Sequence, residues 1–90
     1  MRTVRVRVVV SGRVQGVFFR DTCRDRARAE GVAGWVRNRS DGTVEAEFEG
    51  AIAAVDRVVA WCGEGPPRTR VDGVFTEARA PLGERTFVIR

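Results

Sequence analysis

The chain has 90 residues, of which 43% are apolar and 31% charged, with a formal net charge of +4. That balance fits one small folded domain over residues 1–90 and excludes a disordered chain or two independent cores. The absences exclude more: there is no His, no Lys and no Tyr, and all 16 basic residues are Arg. Histidine-dependent nucleophiles, His-ligated metals, a Walker lysine and Schiff-base chemistry are thereby ruled out.

The opening MRTVRVRVVV is too short and too charged for a signal or membrane segment. A soluble, cytoplasmic protein is expected. Cys23 and Cys62 form no CxxC and supply too few ligands for structural zinc, so a pair of core thiols is expected rather than a disulfide. The positive charge invites a nucleic-acid partner. Against that, Asp21, Asp25 and Glu30 lie among Arg24, Arg26 and Arg28, and no basic run or RNA-binding aromatic signature occurs.

Val4, Val6, Val8 and Val10 alternate with Arg5, Arg7 and Val9, the period of a strand with one buried face. A loop with Gly12 and Gly16 follows. Phe19, Cys23 and Ala27 then recur every fourth residue, predicting a helix over about 19–30 with Gly31 as its C-terminal cap. Residues 34–38 read as a short strand, and Asp41-Gly42 as a tight hairpin with both residues at positive φ. The third strand, residues 43–49, alternates Val44, Ala46 and Phe48 with Glu45, Glu47 and Glu49, so its acidic face is expected in solvent.

Ile52, Val55, Val59 and Cys62 predict one face of a second helix, stopped by Gly65-Pro66-Pro67. Strands at 71–76 and 86–89 complete the chain. The order is βαββαβ plus a short C-terminal strand. It predicts an α+β, ferredoxin-like α/β sandwich, with two helices on one face of an antiparallel sheet and the third strand between the first two. Trp35 and Trp61 are expected in or beside the core, and Cys23 buried and inert.

Two places can carry chemistry. The loop at Gly12–Gly16 feeds a helix N-terminus, where unpaired backbone N–H groups and the helix dipole favour an anion, and Arg20 offers a planar guanidinium. Spacing alone favours a plain turn, with Asp21 or Thr22 capping the helix and Arg20 solvated, because a lone glycine loop is a weak motif. Asn38 can hold a water beside a bound phosphate, or serve only the turn that follows. Arg37 and Arg39 either add positive field there or keep the turn soluble.

GRVQGVFFR (residues 12–20), followed by GWVRN (34–38) and DGTV (41–44), resembles the acylphosphatase family. The three motifs together are highly specific, and the element order extends the likeness over the whole chain. The resemblance implies metal-free hydrolysis of acyl phosphates to a carboxylate and inorganic phosphate, without a cofactor. It implies that Arg20 and the backbone N–H groups of Gln15, Gly16, Val17, Phe18 and Phe19 bind phosphate. It further implies that Asn38 orients the attacking water. The chain departs from many relatives at Ser11 and at the variable position of Phe18, and neither touches Arg20 or Asn38. A monomer acting on a small acyl phosphate, without membrane or nucleic acid, is expected. Two other functions share this sandwich: a noncatalytic phosphate-binding module, known fused to carbamoyl-transfer proteins, and an Arg-rich nucleic-acid binder.

Overall fold

A computed structural model describes residues 2–90. In it the alternating valines form β1 (Thr3–Arg13), with Val8 and Val10 buried. There follow α1 (Phe19–Ala29), β2 (Ala33–Asn38), β3 (Val44–Ala51), α2 (Ile52–Cys62), β4 (Arg70–Arg79) and β5 (Phe87–Ile89). The sheet order is β4-β1-β3-β2-β5, the expected ferredoxin-like arrangement with β3 between β1 and β2. One pairing differs from the expected antiparallel sheet, because β5 runs parallel to β2. Both the exit of β4 and the entry of β5 lie at the end of the sheet where β1 begins. Residues 80–86 cross the sheet there and enter β5 in the direction of β2.

The two helices cover one face and bury Phe19, Cys23, Val55 and Val58 against Val8, Val10, Val36 and Phe48. The apolar stripe of α1 is the expected one. That of α2 is rotated: Ala54, Val55, Val58, Trp61 and Cys62 are buried, while Ile52, at the first turn, is exposed. Phe19 packs on Trp61 with ring centroids 5.1 Å apart. Both cysteines are free and buried. The Cys62 thiol beside it, together with burial, pushes the Cys23 thiol well above its ordinary pKa, which leaves it inert as a nucleophile.

Gly31 closes α1 as expected. Its positive φ of 70° lets its own N–H reach the Arg28 carbonyl and that of Val32 reach Ala27. The β2–β3 turn is wider than predicted. Only Gly42 has positive φ; the Gly42 N–H donates to Arg39 and the Arg39 N–H to Thr43, a three-residue loop with glycine at the left-handed position. Asp41 fixes it by accepting from both the Thr43 N–H and hydroxyl, at 3.0 and 2.6 Å.

The acidic face of β3 is not solvated. Register brings Arg5 opposite Glu49 and Arg7 opposite Glu47. Arg5, 2% exposed, donates to Glu47 (2.6 Å), Glu49 (2.9 Å) and Glu84 (3.1 Å). Glu45 accepts from Arg7 and Arg37, both at 2.7 Å. The 80–86 segment lies over Glu49, which accepts the Leu82 and Gly83 N–H groups at 2.7 and 2.8 Å. Trp35 is buried on this same face, with the Arg90 guanidinium 4.7 Å from its ring. Much of the arginine charge is thus matched within the chain.

Burial pushes the Glu45 carboxyl up, but the Arg7 and Arg37 guanidinium contacts outweigh it and hold its pKa below the ordinary value. Burial likewise opposes, and the Leu82 N–H, Arg5 and the Gly83 N–H overcome it, at Glu49. Carboxylates with depressed folded-state pKa stabilise the fold fully above their unfolded value, near ~4.3, and lose that contribution as pH falls through the folded value. The denaturation midpoint is therefore expected to be flat above about pH 5 and to fall steadily below about pH 4. Urea melts across that range check it; a midpoint rising on acidification contradicts the assignment.

Candidate functional site

Because β3 runs between them, β1 and β2 point the same way and end at the same edge of the sheet. Val10, Val44 and Asn38 lie in one row across the three strands, so Asn38 stands about 10 Å from the β1 exit. Val10 and Val44 are buried under the helices. Asn38 shares their face and is directed toward the start of α1.

Beyond β1 the loop turns sharply around buried Val14, with Gly16 at φ 75° and Phe18 at φ 63°. Phe18 is the residue that precedes the first turn of α1, and no side chain caps that turn. Neither Asp21 nor Thr22 is the cap that spacing allowed: the Thr22 hydroxyl donates back to the Phe18 carbonyl at 2.9 Å. Among the described residues, no backbone N–H from Gln15 to Arg20 donates to a protein acceptor. Left-handed residues alternating with others turn successive N–H groups inward, and the helix dipole adds positive potential. Such a loop has the form of a cradle that can accept an anion.

A cavity of about 300 Å³ opens here, lined by Val14, Gly16, Phe18, Phe19, Arg20, Asp21 and Asn38. The structure thus brings Arg20 and Asn38 together with three of the five predicted loop residues; Gln15 and Val17 do not line this cavity. Arg20 is half-buried and, among the described residues, pairs with no carboxylate or carbonyl. The other arginines that are not fully exposed, Arg5, Arg7, Arg24 and Arg39, each have a carboxylate partner. The Asn38 Oδ1 is buried without a hydrogen-bond partner among the described residues. A buried polar atom left unpaired is costly unless something else satisfies it.

The Gln15 side chain has a role that sequence reasoning missed. Its Nε2 donates to the Arg39 carbonyl at 2.8 Å and the Thr43 carbonyl at 2.9 Å, tying the cradle loop to the turn that follows Asn38. Its two amide protons, in a loop otherwise valued for its backbone, were the available signal. Asp21 also lines the cavity, beside the cradle rather than capping the helix. Arg37 and Arg39 pair with Glu45 and Asp41 instead of facing the cavity. A second cavity of similar size, about 310 Å³, lies between α1 and α2. Its two arginines are already engaged, Arg57 with Glu30 at 2.8 Å and Arg26 over the Trp61 ring, and it holds none of the predicted site residues.

A family model described as acylphosphatase matches residues 6–89. An acylphosphatase of Rubrobacter xylanophilus is 61% identical over 90 residues, covering 99% of this chain and 82% of that protein. Two solved structures have the same fold. The Coxiella burnetii acylphosphatase has a TM-score of 0.94 and 36% identity, covering 98% of this chain and 93% of that one. The Bacillus subtilis acylphosphatase has a TM-score of 0.93 and 36% identity, covering 97% and 98%. The likeness runs through the loop, both parallel strand ends and the helix start that form the cavity, and the chain belongs to the acylphosphatase family.

Proposed function

We propose that the protein hydrolyses the carboxyl–phosphate bond of acyl phosphates, releasing a carboxylate and inorganic phosphate, without a metal or cofactor. The observation that carries this is the meeting of Arg20, Asn38 and the open N–H groups of the loop around one cavity. In this reaction the phosphoryl group sits in the cradle, held by the Arg20 guanidinium and the backbone N–H groups from Gln15 to Phe19. The Asn38 carboxamide, placed at the cavity wall with Oδ1 unpaired, holds the attacking water in line with phosphorus.

The substrate makes light demands on acid–base groups. A carboxylate is a good leaving group near neutral pH, and it departs carrying the bridging oxygen while water oxygen bonds to phosphorus. Phosphoryl transfer passes through a loose transition state whose charge lies on the phosphoryl oxygens, so positioning and fixed positive charge do most of the catalysis. A chain with no His and no Lys is suited to that chemistry.

Asn38→Ala is expected to lower kcat for benzoyl phosphate by roughly 10²-fold or more while changing inorganic phosphate affinity little. Equal losses in both make Asn38 a binding or structural residue instead. EDTA is expected to leave wild-type turnover unchanged; activity lost to chelation and restored by a divalent ion contradicts the metal-free route. Phosphate binding with no turnover at all makes the cradle a recognition module.

A further inference from the structure

We infer, resting on the reading of the cradle as a phosphoryl site, that the hollow on the other side of Phe18 receives the acyl group. It selects bulky, apolar acyl groups that carry an anionic group at their far end. The hollow, about 450 Å³, is lined by Gly16, Val17, Phe18, Thr22, Pro66, Pro67 and Arg68. It shares Gly16 and Phe18 with the cradle cavity, so a substituent on a cradle-bound phosphorus crosses that rim directly into it. An acetyl group leaves most of such a volume empty, whereas an aromatic ring has walls to touch.

The walls are of the right kind. Phe18 is 75% exposed, an arrangement that wastes a large apolar ring unless a ligand covers it. Facing it, Pro66 and Pro67 present rigid apolar surface that loses little freedom on binding. Backbone conformation singles out the same place. Among the described residues only two non-glycine positions have left-handed φ, Phe18 at 63° and Arg68 at 73°, and both line this hollow. A side chain is held in that region only where its surroundings enforce it, and such positions cluster at ligand sites. Here the Thr69 N–H donates to the Pro66 carbonyl at 3.1 Å and closes the turn that sets Arg68.

Arg68 has no carboxylate partner among the described residues, although Arg70, two positions on, is paired with Asp72 at 3.0 Å. An unpaired guanidinium at the border of an apolar hollow recognises a carboxylate or phosphate at the distal end of the acyl group.

The test is calorimetric titration with three non-hydrolysable analogues: acetonylphosphonate, phenacylphosphonate and para-carboxyphenacylphosphonate. Inorganic phosphate serves as the control for the cradle. Wild type is expected to bind the phenacyl compound about tenfold or more tightly than the acetonyl one. The para-carboxylate is expected to add roughly three- to tenfold, lost in Arg68→Gln. Arg68→Glu is expected to turn that gain into a penalty, with phosphate affinity kept within about twofold. Equal affinity of wild type for the acetonyl and phenacyl compounds overturns the hollow as the acyl site, and needs no variant to fold. A carboxylate gain that survives both substitutions overturns the assignment of Arg68. Absence of phosphate binding to wild type overturns the cradle itself, and the hollow with it. Binding in the expected order without benzoyl phosphate turnover overturns only the catalytic reading.

Discussion

Replacing Arg20 with alanine is expected to lower kcat/KM for benzoyl phosphate by about 10³-fold or more while leaving the thermal midpoint nearly unchanged. The two halves of that expectation have separate causes. Arg20 contributes little to the fold, since it is half-buried at the first turn of α1 and pairs with no carboxylate or carbonyl among the described residues. A surface-facing residue with no such partner costs the fold little when truncated. Its charge is instead held ready, in a cavity it shares with the open N–H groups and Asn38. Charge that needs no reorganisation as the phosphoryl group loosens is worth more in the transition state than in the ground state. Arg20→Lys keeps the charge but not the two-pronged donor, and is expected to recover only part of the rate. Near-normal turnover by a folded Arg20→Ala protein removes Arg20 from the mechanism.

The largest effect on stability is expected at Arg5. Arg5→Ala leaves Glu49, 4% exposed, and Glu47 facing each other on one strand without the cation between them. Breaking a buried ion pair by removing one partner costs roughly 3–5 kcal/mol, because the surviving charge stays buried and unpaired. A domain of this size is stable by only about 5–15 kcal/mol, so the midpoint is expected to fall by well over 10 °C. Arg57→Ala is the matched comparison: its contact with Glu30 is equally short, at 2.9 Å, but exposed, and little change is expected. Urea denaturation of the two variants separates the cases. Equal, small shifts refute the view that burial makes the Arg5 network matter.

Periodicity carried most of the fold. The four-residue spacing of Phe19, Cys23 and Ala27 located α1 and its buried stripe, and alternation located β1 and β3. The compact motifs named the residues that meet at the candidate site, because Arg20 and Asn38 each lie inside a short, specific string. What stayed hidden depends on contacts between distant positions. Glu45 and Glu49 alternate like solvated residues, and only the β1–β3 register, with partners 42 and 44 positions away, brings Arg5 onto Glu47 and Glu49. The parallel pairing of β5 depends on where residues 80–86 cross the sheet, which no local pattern encodes. Ile52 fits a helical stripe by spacing yet is the first residue of α2, where its side chain stays exposed.

The Gln15 carboxamide that joins the cradle loop to the hairpin tip has a consequence for warming. Both of its bonds run to carbonyls that flank the turn after Asn38, so loop and tip are docked together or released together. Warming is then expected to free loop and tip in one step, with no form that keeps one in place without the other. Activity and the ordering of these two segments are therefore expected to be lost in step as the protein is heated.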